Sequence, residues 1–193
     1  MTLPLFIIAL AAQVTAIAEE PRNAMAPVEI VLFSDFQCPF CQQFSQPFRE
    51  LQTKGIDGVE TKVQFKNFPL STHSNAQIAH QAAMAAPEQG KFWEMHDLLF
   101  ANQSAARLDD LLGYAKKLGL DVAGFRKDMD SDRIKDVIKG DVTEGEKRGV
   151  NGTPTFFING KSYSGTRSFD QLKQLVLRDR AGPLRWRKLR TIS

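Results

Sequence analysis

The spacing of apolar and polar positions predicts a strand, a helix and a second strand at the start of the folded part of the chain. Residues 28–33 form a short, β-branched apolar run that is typical of a buried strand. Apolar residues then recur at helical spacing from Phe40 to Gly55, and residues 59–65 alternate as a second strand. Because a long helix separates the two strands, we expect them to be parallel neighbours.

A long helical block follows the second strand. From residue 74 to residue 148 the apolar spacing is helical, and no strand pattern interrupts it. A structureless loop of that length is uncommon inside a folded domain. We therefore interpret residues 74–148 as an inserted helical subdomain.

The last part of the chain predicts a hairpin and a final helix. Residues 154–158 have the composition of a strand, and Asn159-Gly160 is a strong turn signal ahead of a second short strand. Ser168 begins a capping-box pattern, and an apolar stripe follows it. The predicted order is βαβ, helices, ββα, which is an α/β fold.

Composition and charge narrow the function classes. The 193 residues are 42% hydrophobic and include 14 Phe, which is enough for one sizeable core. The formal net charge is only +3, from 25 basic and 22 acidic residues, so the overall charge does not favour a nucleic-acid partner.

Both ends of the chain differ from its middle. Residues 1–18 carry no charged side chain, and residues 16–18 fit the small-x-small pattern of a signal cleavage site. We predict a signal peptide or membrane anchor at 1–18 and a linker at 19–27. The alternatives are the end of a membrane helix from a larger fused protein and a helix packed on the domain. The basic stretch 181–193 predicts a solvated tail or a contact with an anionic membrane surface.

The two cysteines of the chain stand together as Cys38-Pro39-Phe40-Cys41, directly after the first strand. About one helical turn separates them, so their sulfurs lie within reach of a disulfide. Cys38 falls at the first turn of the helix, where unpaired N–H groups favour a thiolate. We predict that Cys38 is the nucleophile and that Cys41 resolves the mixed disulfide. Pro39 suits the helix start, and both Pro39 and Phe40 are expected to tune the redox chemistry.

A structural disulfide, half of a zinc site and two inert buried thiols are the alternatives to this chemistry. A structural zinc site usually has four ligands, and the chain has no further cysteine and no histidine at the usual ligand spacing. A bridge that spans two residues constrains the unfolded chain little. We therefore expect no metal and no cofactor apart from a redox-active disulfide.

Two motifs carry a resemblance to a known family. They are FSDFQCPFC at the first helix and GVNGTPT at the start of the third strand. With this order of elements, the chain resembles the thioredoxin superfamily and specifically its DsbA-like branch, over residues 28–177. The resemblance implies a thioredoxin-like domain at 28–180 with a helical insertion. It also implies that Pro154 is cis and lies against the active-site disulfide, and that the Thr153 backbone pairs with extended substrate peptide.

The chain departs from this family pattern at two positions. DsbA has a histidine between its cysteines where this chain has Phe40, and many members have a buried acid where this chain has Leu32. We therefore expect a less oxidising disulfide. Asp35 is the nearest acid and a candidate proton relay, although a turn or helix-start role is more common for Asp at a strand end. His73 and His80 are candidates for the substrate groove, against the more usual role of a surface or satisfied polar residue.

These features predict a periplasmic or other extracytoplasmic thiol:disulfide oxidoreductase, with membrane anchoring as an open alternative. Its expected partners are unfolded or reduced secreted proteins and a membrane thiol oxidase or quinone-linked re-oxidant, and it is expected to be a monomer. The alternatives are a disulfide isomerase or reductase of the same fold and a redox-inactive thioredoxin-like binding module.

Overall fold

The computed structural model describes residues 26–180, which are organised around one four-stranded sheet. Its strands are β1 (Val28–Ser34), β2 (Thr61–Asn67), β3 (Thr155–Ile158) and β4 (Lys161–Ser164). Their order across the sheet is β2-β1-β3-β4. The predicted parallel pairing of β1 and β2 is confirmed, and β3 is antiparallel to both of its neighbours.

The second strand begins later than its alternating pattern predicts. Val59 pairs with Ile56 in an isolated bridge, and β2 begins at Thr61. Gly58 has a φ of 71°, so the chain turns just before Val59 and reaches β1 only afterwards. Val59 nevertheless packs on the hydrophobic core, which explains why its position fits the apolar pattern of the strand.

Helices account for most of the remaining described residues, and five α-helices lie between β2 and β3. The predicted α/β class with a helical insertion is confirmed. The helices are α1 (Pro39–Lys54), α2 (Ala76–Ala85), α3 (Phe92–Ala101), α4 (Leu108–Lys117), α5 (Val122–Met129), α6 (Asp132–Lys147) and α7 (Phe169–Asp179), with a short 3-10 helix at Ala86–Gln89.

Helices cover both faces of the sheet. Helices α1 and α7 pack on the face of β1 that carries Ile30 and Leu32. Helix α6 packs on the opposite face, where Gly145 approaches the rings of Phe33 and Phe68. A Cβ added at Gly145 would lie 2.7 Å from the Phe68 ring, so a larger residue would push the helix away from the sheet.

The inserted helices have a hydrophobic core of their own, and the active-site segment is part of it. Phe36, Cys38 and Cys41 belong to this core together with the buried residues of α2 to α5. Ile134 and Ile138, in the first half of α6, complete it, whereas the second half of α6 packs on the sheet. The two cysteines therefore lie at the junction between the sheet and the insertion.

Three predicted segments concern the ends of the chain. The signal peptide or anchor at 1–18, most of the linker at 19–27 and the basic tail at 181–193 lie outside the described residues and stay predictions. Within residues 26–180, no helix combines the length and the apolar composition needed to cross a membrane.

Candidate active site

Cys38 is the residue that precedes the first turn of α1. Its φ of −77° and ψ of 123° are extended, and the helix begins at the next residue with Pro39 in its first turn. The Cys38 N–H donates to the Asp35 carbonyl oxygen at 3.1 Å, and the Cys38 carbonyl accepts from the Gln42 N–H at 3.1 Å. The side chain therefore lies at the helix N-terminus, which is the position that the motif predicts.

These surroundings lower the pKa of the Cys38 thiol from 9.0 to about 5. The largest cause is a hydrogen bond from the Cys41 thiol, and the Thr153 side chain and the N–H groups of Cys41 and Phe40 act in the same direction against burial. The two N–H groups face the sulfur without the geometry of a full helix-capping hydrogen bond. With a pKa of about 5, nearly all of Cys38 is thiolate at neutral pH, which is the reactive form.

Cys41 has the opposite character. Its side chain is only 1% exposed, and burial is the largest cause of a raised thiol pKa, to which the hydrogen bond with Cys38 adds. The Ser34 side chain and the Asp35 N–H, which lies 3.4 Å from the Cys41 Sγ, oppose this rise. In the dithiol form, Cys38 therefore carries the charge and Cys41 keeps its proton, as a nucleophile and a resolving thiol require.

The second motif lies against the first. The Thr153–Pro154 peptide bond is cis, and the Cys38 Sγ lies 3.4 Å from the Thr153 carbonyl oxygen across 115 positions of sequence, an oxygen to which only the protonated thiol can donate. The Thr153 Oγ1 is buried and makes no full hydrogen bond within residues 26–180. It is nevertheless close enough to lower the pKa of both thiols, so we attribute its effect to the hydroxyl dipole. The Thr155 hydroxyl closes this turn by donating to the Gly152 carbonyl oxygen at 2.7 Å.

Asp35 is fully buried, and its carboxylate holds the turn ahead of the first cysteine. One oxygen accepts from the Gln37 N–H at 2.7 Å. The other accepts from the Leu70 N–H at 2.8 Å and pairs with the His73 Nδ1 at 2.8 Å. Since the Asp35 atom that meets Cys41 is the backbone nitrogen, the geometry favours the turn role over the proton relay.

The two histidines named as groove candidates have different surroundings. His73 is partly exposed and pairs with Asp35. His80 is fully buried, its Nδ1 lies 2.8 Å from the Asn67 Oδ1, and the Phe36 ring packs on it with centroids 4.7 Å apart. Burial lowers the pKa of His80 to about 4. His80 therefore does not line a surface groove.

The structure shows the surroundings of the two residues that depart from the family pattern. Phe40 is 59% exposed beside Cys38, so an apolar ring stands at the surface where a histidine is found in DsbA. Leu32 is buried in the core between the sheet and α1, and it offers no group for proton transfer to Cys41. The redox-tuning roles of Pro39 and Phe40 stay predictions.

Amide side chains surround the active-site turn, and sequence reasoning missed them. The Gln103 Nε2 donates to the carbonyl oxygens of Phe36 at 2.8 Å and Cys38 at 3.0 Å. The Gln37 Oε1 accepts from the Asn75 N–H at 2.6 Å. A glutamine in a turn between two inserted helices belongs to no motif, so no signal in the sequence points to Gln103.

The described residues offer no preformed metal centre. Within residues 26–180, no group of three or more His, Cys, Asp or Glu side chains is placed to hold a metal ion.

Similarity to known proteins agrees with this geometry. The profile of the thioredoxin family matches residues 23–177. A thioredoxin-like oxidoreductase from Silicibacter pomeroyi is 27% identical with a TM-score of 0.70, over 83% of this chain and 91% of that one. The thiol-disulfide exchange protein alpha-DsbA2 from Wolbachia pipientis is 21% identical with a TM-score of 0.71, over 81% of this chain and 83% of that one.

The curated sequence relatives are named as transporters and not as thiol-disulfide proteins. The Na(+)/H(+) antiporter NhaA 1 of Salinispora arenicola is 42% identical over 163 residues, which cover 84% of this chain and 24% of the relative. The NhaA 3 antiporter of Salinispora tropica is 42% identical over 158 residues, which cover 81% of this chain and 24% of the relative. The chain thus spans about a quarter of the length of these relatives. The profile match, the sheet and helix order and the paired motifs show that the chain belongs to the thioredoxin family and has a DsbA-like fold with an inserted helical subdomain.

Proposed function

We propose that the protein is an extracytoplasmic thiol:disulfide oxidoreductase that donates its Cys38–Cys41 disulfide to reduced, unfolded secreted proteins. The observation that carries this proposal is the contrast between the two thiols, because the pKa of Cys38 is lowered to about 5 and that of Cys41 is raised. A stabilised thiolate favours the reduced form of the pair, and a pair whose reduced form is stable is a strong oxidant.

The reaction is a two-electron exchange between two pairs of sulfurs. A substrate thiolate attacks the Cys38 sulfur, the Cys38–Cys41 bond breaks, and Cys41 leaves and takes up a proton. A second substrate thiolate then attacks the substrate sulfur of the mixed disulfide, and Cys38 leaves as a thiolate. Its low pKa makes Cys38 the better leaving group. The substrate loses two electrons and gains a disulfide, and the protein is left as the dithiol.

The surroundings of Cys38 support an extended peptide as substrate. Thr153 lies outside the sheet, and within residues 26–180 its N–H donates to no acceptor in hydrogen-bond geometry. A backbone N–H beside the nucleophile suits pairing with a substrate main chain, which gives little sequence preference. The exposed ring of Phe40, two residues after Cys38, offers an apolar contact to such a peptide.

The proposed compartment rests on chemistry and on similar folds. Protein disulfides form and persist outside the cytosol. One protein of similar fold, from Salmonella enterica, is described as a periplasmic thioredoxin-like protein, with 20% identity and a TM-score of 0.67. A membrane thiol oxidase or a quinone-linked oxidant is the proposed source of re-oxidation.

The test incubates the oxidised protein with a reduced, unfolded protein and counts thiols on both by alkylation and mass. We expect substrate thiols to disappear as the Cys38–Cys41 pair becomes reduced, two for two. Cys38→Ser should abolish the reaction. Cys41→Ser cannot form the internal disulfide, so it should also fail to oxidise the reduced substrate; given a protein that already carries a disulfide, its Cys38 thiolate should attack that bond, release one substrate thiolate and remain as a mixed disulfide. Full activity of Cys38→Ser would refute the proposal.

The same samples separate the alternatives. An isomerase or reductase would be favoured if the dithiol form of the protein rearranges the wrong disulfides of a scrambled substrate faster than the disulfide form oxidises a reduced substrate. A metal retained after purification, with no disulfide formed under oxidant, would favour a binding module.

The curated relatives favour a second candidate function. Their names make them Na(+)/H(+) antiporters, and this chain matches a quarter of their length. We propose that the domain acts beside such an antiporter and exchanges disulfides with proteins on the extracytoplasmic side of the antiporter's membrane. Isolation of the protein from membranes tests this idea: co-purification of an antiporter supports it, and recovery only in the soluble extracytoplasmic fraction contradicts it.

A further inference from the structure

The helical insertion reaches the active-site turn through one side chain. Gln103 lies in the turn after α3, and its Nε2 donates to the carbonyl oxygens of Phe36 and Cys38 at 2.8 and 3.0 Å. A carboxamide nitrogen has two N–H groups, so these bonds use both of them. The two acceptors stand on either side of Gln37, and Gln103 thus holds both ends of the segment that leads into α1.

Further bonds fix the same segment to the insertion. The Gln37 Oε1 accepts from the Asn75 N–H at 2.6 Å, and the Gln37 Nε2 donates to the Gln103 carbonyl oxygen at 3.5 Å. From α1, the Gln42 Nε2 donates to the Phe100 carbonyl oxygen at 2.6 Å. Of these three glutamine side chains, that of Gln103 is the one that hydrogen-bonds to the nucleophilic residue.

The direction of the Cys38 side chain decides how well its thiolate is stabilised. The N–H groups of a helix start act only within the first turn, so a small rotation of the Cys38 backbone moves the sulfur away from them. The Cys38 carbonyl also accepts from the Gln42 N–H, and the bond from Gln103 fixes this peptide group from a second direction. A carboxamide is uncharged at every pH of interest, so Gln103 acts through position and not through charge.

We propose that Gln103 is a positioning residue that sets the thiolate fraction of Cys38, and thereby lets the helical insertion control the redox potential of the Cys38–Cys41 pair. This inference deepens the proposed function and rests on it, because the potential matters only for a pair that exchanges disulfides. It assigns the insertion a role in the chemistry in addition to its packing.

The test compares two variants of Gln103 with a matched control. Gln103→Ala removes both bonds, whereas Gln103→Glu keeps the size of the side chain and replaces the donating NH2 group by an oxygen that repels the carbonyls. Gln81→Ala is the control, because Gln81 is also a half-buried glutamine of the insertion whose Nε2 donates to a backbone carbonyl, that of Met129 at 2.9 Å, away from the cysteines.

Two measurements are made on each protein that unfolds cooperatively. They are the rate of Cys38 alkylation against pH and the fraction oxidised in glutathione buffers. For Gln103→Ala we expect alkylation below about pH 5 to slow about 3- to 10-fold, with an unchanged rate at about pH 8, because a rise of one pKa unit is a tenfold change in the thiolate equilibrium. Gln103→Glu should move the alkylation midpoint to a still higher pH, because its carboxylate opposes the thiolate wherever it is ionised, and both variants should shift the potential toward the reducing side.

The control decides between positioning and stability. Gln81→Ala should lose stability without any change in the Cys38 titration or the potential. If the Gln103 variants titrate like Gln81→Ala, the inference is overturned. If wild-type protein fails to oxidise a reduced substrate, the proposed function is overturned, and the alkylation profile still decides whether Gln103 positions the thiolate.

Discussion

His80 leads to a prediction about stability against pH. Its Nδ1 meets the Asn67 Oδ1 at 2.8 Å, and the Asn67 amide is oriented by the bond from its Nδ2 to Asp141 at 2.7 Å. Because an amide oxygen only accepts, Nδ1 carries the ring proton, and the buried Nε2 has no partner within residues 26–180. A second proton would place a charge in a cluster of aromatic rings, at a high cost in desolvation.

The size of the effect follows from two pKa values. Burial lowers the pKa of His80 from 6.5 to about 4, and the nearby Asp35 charge offsets this only in part. Between these values the unfolded chain binds a proton that the folded protein does not, so the free energy of unfolding falls as the pH falls. From pH 8 to pH 5 the loss is about 2 kcal/mol, and below pH 4 it is complete at about 3 kcal/mol. Burial also lowers the pKa of His96, which adds in the same direction.

The assay is urea unfolding at several pH values from 8 down to 5, a range that lies above the titration of most carboxylates. The variant His80→Asn removes the titrating ring and keeps an N–H that can donate to Asn67. We expect its free energy of unfolding to change less with pH than that of the wild type. The difference in slope should correspond to about one fewer proton taken up on unfolding. Equal pH dependence in the two proteins, or a wild type equally stable at pH 8 and pH 5, would refute the reasoning.

Three further predictions test other parts of the structure. Alkylation of Cys38 should be half-maximal at about pH 5 and flat above about pH 7, because its pKa is lowered to about 5, and a midpoint near pH 9 would contradict the site geometry. Asp35→Asn should lower the free energy of unfolding by about 1–3 kcal/mol, because an amide has one accepting oxygen and cannot accept from both the Gln37 and the Leu70 N–H. A variant as stable as the wild type in urea unfolding would contradict the turn role. Gly145→Ala should destabilise the protein by about 1–3 kcal/mol, because its Cβ would lie 2.7 Å from the Phe68 ring. Gly140→Ala is the control in the same helix; its Cβ would meet nothing within 4 Å, and it should stabilise the protein by about 1 kcal/mol. Equal effects of the two variants in thermal unfolding would disprove the close packing at Gly145.

Local signals predicted the elements well where short-range physics decides the structure. Asn159 and Gly160 have φ values of 47° and 83°, which is the left-handed turn that an Asn-Gly hairpin requires. The Ser168 side chain accepts from the Gln171 N–H and the Gln171 side chain accepts from the Ser168 N–H, as the capping box predicts. Both features depend on residues close together in the sequence.

Long-range contacts account for what the sequence did not reveal. The burial of His80 depends on Phe36, which is far from it in the sequence, and the bonds from Gln103 to the active-site turn cross 65 and 67 positions. No spacing rule describes such contacts, because they arise only when the insertion packs against the sheet.

The reduction potential of the Cys38–Cys41 pair tests the central claim most directly. It is measured by equilibration in glutathione buffers of graded ratio, with the oxidised fraction read by thiol alkylation and mass. Potentials are about −270 mV for a thioredoxin with a thiol pKa of about 7 and about −120 mV for a DsbA with a thiol pKa of about 3.5. The Cys38 pKa of about 5 lies between them and predicts a potential of about −180 mV, that of a disulfide donor or isomerase. A value near about −270 mV would contradict the account, because it would mean a reductant supplied with electrons.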